Sequence, residues 1–138
     1  MVSKLFADSN FFISLTNTDD STHLPAMEIF KSIGGFEELS ITNFIFSEVI
    51  TVVSQKVGKS EAMELGEDIK KKVSIIYLDE DIMNLAWSVF KSDKSKNLSF
   101  TDATSLAIIK LMGFKKFLTF DKKDFRKYQS TLDFKIIC

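Results

Sequence analysis

Short apolar runs alternate along the chain with longer segments in which apolar residues recur at helical spacing. Strands separated by helices favour a parallel sheet with helices on both faces. The chain has 138 residues, enough for one core of this kind, and we expect residues 1–138 to form a single domain. The runs interpreted as strands are residues 4–7, 39–42, 73–78, 117–120 and 134–137.

The segments between these runs carry the start and stop residues of helices. Ser21 or Thr22 is the expected cap of the second helix, and Thr101 is the expected cap of the sixth. Glycines follow several of the segments and predict their ends. The predicted helices cover residues 9–16, 22–33, 43–57, 59–72, 79–92 and 101–112, with Ile45, Val49, Val52 and Val53 facing inward in the third.

Composition excludes several functional classes. No apolar run reaches the roughly 18 residues of a membrane span, and the N-terminus lacks the pattern of a signal peptide. We therefore expect a soluble, cytoplasmic protein that does not enter a membrane. Cys138 and His23 are the only residues of their types, which excludes an internal disulfide and the usual zinc clusters.

The net charge of −1 conceals an uneven distribution. Residues 1–90 carry 7 basic and 14 acidic side chains, whereas residues 91–127 carry 10 basic and 4 acidic ones. A solvated lysine surface is one interpretation of this basic segment, and a nucleic-acid contact surface is the other. The basic residues considered for RNA binding are Lys94, Lys96, Lys122, Lys123 and Arg126.

Four acidic residues stand in unusual positions. Asp8 and Asp121 each follow a predicted strand directly, at the edge where parallel sheets bind ligands. Glu48 lies in a helix of mostly apolar residues, and Asp102 lies in the first turn of another. Each has an ordinary explanation by itself, as a turn residue, a polar stripe or a complement to a helix dipole.

Taken together, the four carboxylates indicate a cation site. Converging carboxylates repel one another and resist ionisation unless cations neutralise them. Mg²⁺ or Mn²⁺ suits oxygen ligands where histidine and cysteine are scarce. Such ions support in-line hydrolysis of a phosphodiester, which is the chemistry that the pattern suggests.

Three stretches, "FADSNFFISL", "ITNFIFSEVITVV" and "LSFTDATSLAIIKLMGFKKFLTFDKKDF", resemble in order and spacing the acidic motifs of PIN domains. The resemblance covers almost the whole chain, and the compact size is similar to the VapC-type ribonuclease toxins of toxin-antitoxin modules. It implies a three-layer α/β/α fold with a five-stranded parallel sheet, and an acidic pocket that binds Mg²⁺ or Mn²⁺.

The resemblance also assigns roles to residues. The four acids of the family match Asp8, Glu48, Asp102 and Asp121, in that order, as catalytic and metal-binding residues. Asn10 matches an amide that orients a carboxylate, and Thr101 matches a hydroxyl residue before the third acid. Ser9 stands where the family more often has threonine, which keeps the hydroxyl group.

The expected function is therefore a metal-dependent endoribonuclease, a toxin that a cognate antitoxin holds inactive. The alternatives are a PIN nuclease of RNA processing, a catalytically silent nucleic-acid-binding domain, and a phospho-acceptor receiver domain. A receiver places adjacent acids after the first strand, whereas Ser9 follows Asp8 here, and a dehalogenase-type phosphatase needs a second acid where Asn10 stands. The resemblance also implies a homodimer, with the first helices as one candidate surface.

Several other residues receive structural interpretations. Asp121 is assigned to the metal site, and Asp124 is assigned to the start of a short helix, where it assists the site at most. His23 is expected at the surface near a helix start. Trp87 and Phe90 have the spacing of core residues rather than of a base-stacking platform.

Overall fold

A five-stranded parallel sheet forms the centre of the computed structural model, which describes residues 5–138. Its strand order is β3-β2-β1-β4-β5, and all four neighbouring pairs are parallel. Lys4, which the sequence assigned to the first strand, lies outside the described residues. The strands are β1 (Leu5–Ala7), β2 (Leu39–Thr42), β3 (Ser74–Ile76), β4 (Lys116–Leu118) and β5 (Lys135–Ile137).

The strand order places a switch point between β1 and β4. After β1 the chain builds outward through β2 and β3, and it then returns to the other side of β1 with β4 and β5. Ala7 is in register with Leu118, and the Asp8 amide donates to the Leu118 carbonyl at 2.9 Å. Ligands bind at such a point beyond the carboxyl ends of the strands. The residues just after β1 and β4 therefore form the natural place for a site.

Helices connect the strands in the predicted order, which confirms the α/β architecture. Short 3₁₀ turns at Phe36–Glu38 and Arg126–Tyr128 accompany them. Among the described residues, no helix is long and apolar enough to cross a membrane. The helices are α1 (Ser9–Thr16), α2 (His23–Ile33), α3 (Asn43–Lys56), α4 (Lys59–Lys72), α5 (Glu80–Ser92), α6 (Phe100–Met112), α7 (Lys122–Phe125) and α8 (Gln129–Leu132).

Phenylalanines fill the core next to the switch point. Phe6 of β1 and Phe117 of β4 are fully buried, and their rings lie 5.7 Å apart between centroids. The ring of Phe125 from α7 packs edge-on against Phe117 at 4.8 Å. Tilted and edge-on ring contacts of this kind stabilise the fold by more than the burial of their apolar surface alone. They fix β1, β4 and α7 relative to one another, and Asp8, Asp121 and Asp124 lie in or next to these elements.

The start of α6 differs from the prediction. Its cap is Ser99, not Thr101, because the Ser99 hydroxyl accepts from the Asp102 amide at 3.0 Å. In return an Asp102 carboxylate oxygen accepts from the Ser99 amide at 3.1 Å. This reciprocal capping box satisfies two backbone groups that the helix cannot pair itself. β4 also ends at Leu118, two residues before the end predicted for it.

The interpretation of Trp87 and Phe90 as core residues is wrong. Their relative exposures are 53% and 37%, and their rings stack on each other at the surface of α5. Ala86 and Val89, each one residue earlier, face the protein instead, because one residue turns a helix by about 100°. Val52 likewise lies on the wall of a surface pocket rather than in the core.

Candidate metal centre and active site

Asp8 is a buried carboxylate at the carboxyl end of β1. It caps α1, and one of its oxygens accepts from the Ser9 amide at 2.8 Å. The other accepts from the hydroxyl of Thr119, which follows β4, also at 2.8 Å. Asp8 is only 6% exposed and Thr119 is fully buried, so this bond links the two central strands in the interior.

A brace between Asn10 and Thr119 also joins the loops that follow β1 and β4. The Asn10 amide group donates to the Thr119 hydroxyl at 3.1 Å, and its oxygen accepts from the Phe120 amide at 3.1 Å. The Thr119 hydroxyl also accepts from the Asp121 amide at 3.1 Å. Asn10 therefore acts on the backbone that carries Asp121 and, through the Thr119 hydroxyl, on the Asp8 carboxylate.

Asp102 and Asp121 come together with Asp124 in one group. Each of the three offers a carboxylate oxygen, and these oxygens all lie within 4.8 Å of one another. Asp102 comes from the first turn of α6, Asp121 precedes α7, and Asp124 lies in the first turn of α7, as predicted. The group therefore contains an acid that the sequence interpretation placed outside the metal site.

Glu48 lies outside this group, but its charge acts on both Asp8 and Asp102. An oxygen of its carboxylate accepts a short hydrogen bond from the Ser9 hydroxyl. Glu48 and Thr101 both line an open pocket of about 510 Å³, whose walls also include Ser47 and Thr51 of α3. Thr101 therefore faces the site without capping the helix.

Burial and mutual repulsion disfavour ionisation of Asp8, Asp102 and Asp121. Burial raises the pKa of Asp8 to about 7, and the charge of Asp102 adds to the rise. Burial raises the pKa of Asp102 to about 6, with contributions from Asp121 and Glu48, although hydrogen bonds from Ser99 oppose the shift. Burial and a hydrogen bond with Asp124 raise the pKa of Asp121. The cluster is thus an unfavourable arrangement of negative charges at neutral pH.

A divalent cation fits this donor set. The three grouped acids supply hard oxygen ligands, and a cation would lower the electrostatic cost that the raised pKa values express. Asp8 and Glu48 add charge beside the group without belonging to it.

Sequence reasoning missed Thr119 and underrated Asp124. Thr119 stands two residues before Asp121 in "FLTFD", where the pattern indicated only strand. Its role depends on Asp8 and Asn10, which lie more than one hundred residues away in the chain. His23 is the first residue of α2, as expected near a helix start, but it is half-buried, and its ring Nδ1 lies 2.8 Å from the carbonyl oxygen of Ser14 in α1.

The basic residues singled out by the sequence are all exposed. Lys122 and Lys123 lie in α7 beside the acid group, Arg126 follows them, and Lys94 and Lys96 lie in the loop before α6. Because α6 and α7 also carry the grouped acids, these positive charges lie on the segments next to the site.

The fold and the site together define a class: a parallel α/β protein with a carboxylate cluster at its switch point. The particular family is identified by a family model, the PIN domain, which matches residues 5–130. The chain belongs to the PIN domain family.

Two known proteins illustrate the similarity. The 23S rRNA-specific endonuclease VapC20 of Mycobacterium tuberculosis is 24% identical over 118 residues, which are 85% of this chain and 88% of that protein. The crystal structure of VapC20, described as a Sarcin-Ricin loop cleaving toxin, superposes with a TM-score of 0.80 over 89% of this chain and 93% of that one. A toxin-antitoxin complex from Klebsiella pneumoniae is 19% identical, with a TM-score of 0.68 over 97% and 96% of the two chains.

The raised pKa of Asp8 predicts how stability depends on pH when no metal is bound. The folded pKa is about 7 and the ordinary value is 3.8, so the folded state binds this proton more tightly. The contribution of Asp8 to unfolding free energy should therefore be largest at low pH and decline as pH rises towards about 7. We expect Asp8→Asn to remove this decline in urea unfolding measured in EDTA.

The comparison should run from about pH 5 to pH 8, with Asp19→Asn as the control at an exposed acid. Added Mg²⁺ should stabilise the wild type most at the upper end, where protons no longer compete for the carboxylates. Equal pH slopes for the wild type and Asp8→Asn would contradict the electrostatic account of the site.

The grouping of Asp124 with Asp102 and Asp121 predicts a role in cation binding. Asp124→Asn should weaken Mn²⁺ binding by about tenfold or more, as Asp121→Asn should, because each removes a charged oxygen from the group. The measurement is Mn²⁺ titration followed by electron paramagnetic resonance. Asp81→Asn is the matched control, since Asp81 is an exposed first-turn acid of α5. If Asp124→Asn resembles this control while Asp121→Asn does not, Asp124 is only a helix-terminus acid.

Proposed function

We propose that this PIN-domain protein is a metal-dependent endoribonuclease that hydrolyses phosphodiester bonds of single-stranded or looped RNA. The observation that carries the proposal is the carboxylate group of Asp102, Asp121 and Asp124 beside buried Asp8 at the switch point. The likeness to an rRNA-specific endonuclease over 85% of the chain supports RNA as the substrate. Unpaired RNA exposes its backbone to a cleft of this kind more readily than a duplex does.

The acids divide the work between them. Asp102, Asp121 and Asp124 would hold the cation, and Asp8 contributes negative charge from below while fixing the loop after β1. A bound Mg²⁺ or Mn²⁺ supplies Lewis-acid polarisation of the phosphate and a lower pKa for an attacking water. Glu48 and Thr101 line the open pocket and provide polar groups to orient a water or a ribose hydroxyl. Asn10 and Thr119 keep the Asp121 backbone in place.

We also propose that the chain is the toxin of a toxin-antitoxin module and has a cognate antitoxin as its partner. The similar structures include VapC20, described as a toxin, and a toxin-antitoxin complex that matches 97% of this chain. An antitoxin segment that covers the open pocket beside Glu48 would block the access of RNA to the acids.

We further propose that the protein forms a homodimer through an aromatic surface made by Trp87, Phe90 and Phe100. The rings of these residues lie within 6.1 Å of one another between centroids, and Trp87 is 53% exposed. Exposed aromatic patches of this kind mark interfaces. Phe11 and Phe12 of α1 are fully buried, so they cannot provide the dimer surface.

Trp87→Ser should shift the protein towards the monomer in sedimentation velocity, because it removes the most exposed ring of this surface. Tyr77→Ser is the control, since Tyr77 is an exposed aromatic residue after β3 with 71% exposure. An unchanged dimer together with weaker RNA binding would instead make the aromatic surface a base-stacking platform.

The nuclease activity should depend on a divalent cation and on Asp102. Protein treated with chelator should not cleave RNA, and Mg²⁺ or Mn²⁺ should restore cleavage. Asp102→Asn should abolish turnover in a gel assay while keeping the fold by circular dichroism, because asparagine retains an oxygen for the Ser99 amide. Full activity after exhaustive metal removal would refute the mechanism, and RNA binding without cleavage in any metal would favour a silent binding domain.

A further inference from the structure

A small polar pocket adjoins the carboxylate group and shares no lining residue with the pocket beside Glu48. It has a volume of about 170 Å³ and lies between the loop that precedes α6 and the segment of α7 and the following 3₁₀ turn. Its walls include Asn97 from the loop and Lys123 and Lys127 from the other side. Asp124, a member of the carboxylate group, also lines it, so the pocket opens directly beside the candidate metal centre.

Hydrogen bonds of Asp93 hold the pocket in shape. Its carboxylate accepts from the Ser95 amide at 2.8 Å and accepts a short hydrogen bond from the Tyr128 hydroxyl. The Ser95 hydroxyl in turn accepts from the Asn97 amide at 3.2 Å. These bonds join the loop before α6 to the 3₁₀ turn after α7. The two walls are therefore fixed relative to each other before any ligand binds.

Of the two lysines that line the pocket, one has no acidic partner among the described residues. Lys127 forms an ion pair with Asp93 at 3.0 Å, which compensates the negative charge of that wall. Lys123 is exposed and forms no ion pair with any of residues 5–138. Asp124 is negative, but a cation held by the carboxylate group would neutralise it. A ligand in the pocket would thus meet the Lys123 ammonium directly. The Lys127 ammonium, which is paired with Asp93, and Asn97 lie beside it.

The size of the pocket selects a small anion. Its 170 Å³ is below the roughly 300 Å³ at which pockets begin to enclose drug-sized ligands, and its two lysines favour an anionic group such as a phosphate. The pocket beside Glu48 is larger, about 510 Å³, and is lined by hydroxyl groups and Phe44 rather than by lysines. The two pockets thus offer different groups to an RNA strand that passes the acid group: hydroxyl groups and an aromatic ring in one, and lysines in the other.

We infer that the pocket formed by Asn97, Lys123 and Lys127 is a binding subsite for one backbone phosphate of the RNA, next to the phosphate that is cleaved. This inference rests on the proposed ribonuclease function and adds the direction in which the RNA strand crosses the site. The strand places a flanking phosphate against Lys123 and a nucleoside in the pocket beside Glu48. Lys122, the neighbour of Lys123 in the chain, does not line the pocket.

The test measures binding of a fluorescein-labelled oligouridylate of about ten nucleotides by fluorescence anisotropy. It uses the Asp102→Asn protein at a constant Mg²⁺ concentration, so that a cation is available beside Asp124 and binding is followed without cleavage. Adding Lys123→Ala, or Lys123→Gln as a second variant, should weaken binding and lower the slope of log Kd against log salt by about 0.7. Lys116→Ala is the control, because Lys116 belongs to the same basic segment but begins β4, at the opposite end of the sheet.

A second arm locates the phosphate. Oligonucleotides that each carry one neutral methylphosphonate are compared on proteins with and without Lys123→Ala. At one position the methylphosphonate should weaken binding to the protein with Lys123 and have no further effect without it. Equal losses at every position, or an equal effect of Lys116→Ala, would overturn the subsite. A wild type that cleaves no RNA would refute the nuclease proposal instead, and that result is independent of these binding data.

Discussion

The burial of the Asp8 carboxylate between the two central strands is the constraint on which the site depends. A buried charge is costly unless hydrogen bonds or a counter-charge compensate it. Here the Ser9 amide and the Thr119 hydroxyl supply two hydrogen bonds, yet the pKa of Asp8 still rises to about 7. The fold therefore holds a group whose ionised form is disfavoured by burial and would be stabilised by positive charge beside it. Cation binding would therefore lower the electrostatic cost of burying the Asp8 carboxylate, and the proposed hydrolysis depends on the same cation.

Local sequence patterns predicted the helices and strands well where apolar runs and stop residues mark their ends. The bounds of β2, α1 and α4 were predicted to the residue, because apolar runs and stop residues mark them. The sheet edge that carries Asp8 and Asp121 followed from the order of strands and helices. The five-stranded parallel sheet implied by the resemblance is confirmed.

Features that depend on distant contacts could not be predicted in the same way. Ser99 and Thr101 are both hydroxyl residues near the start of α6, and only the backbone geometry shows which one caps the helix. Trp87 and Phe90 have apolar spacing, but a helix at the surface exposes them because Ala86 and Val89 already fill the inner face. The roles of the four predicted acids remain predictions, although the structure brings all of them to the same end of the sheet.

The brace between Asn10 and Thr119 also bears on the order of events during synthesis. Asn10 and Asp8 are synthesised more than one hundred residues before Thr119, Phe120 and Asp121. β1 has β4 as one of its two neighbours, so its pairing is incomplete until that late segment arrives. Long-range pairing of this kind forms late, because the loop must close first. A growing chain consequently carries no assembled acid cluster until the segment that follows β4 has been synthesised.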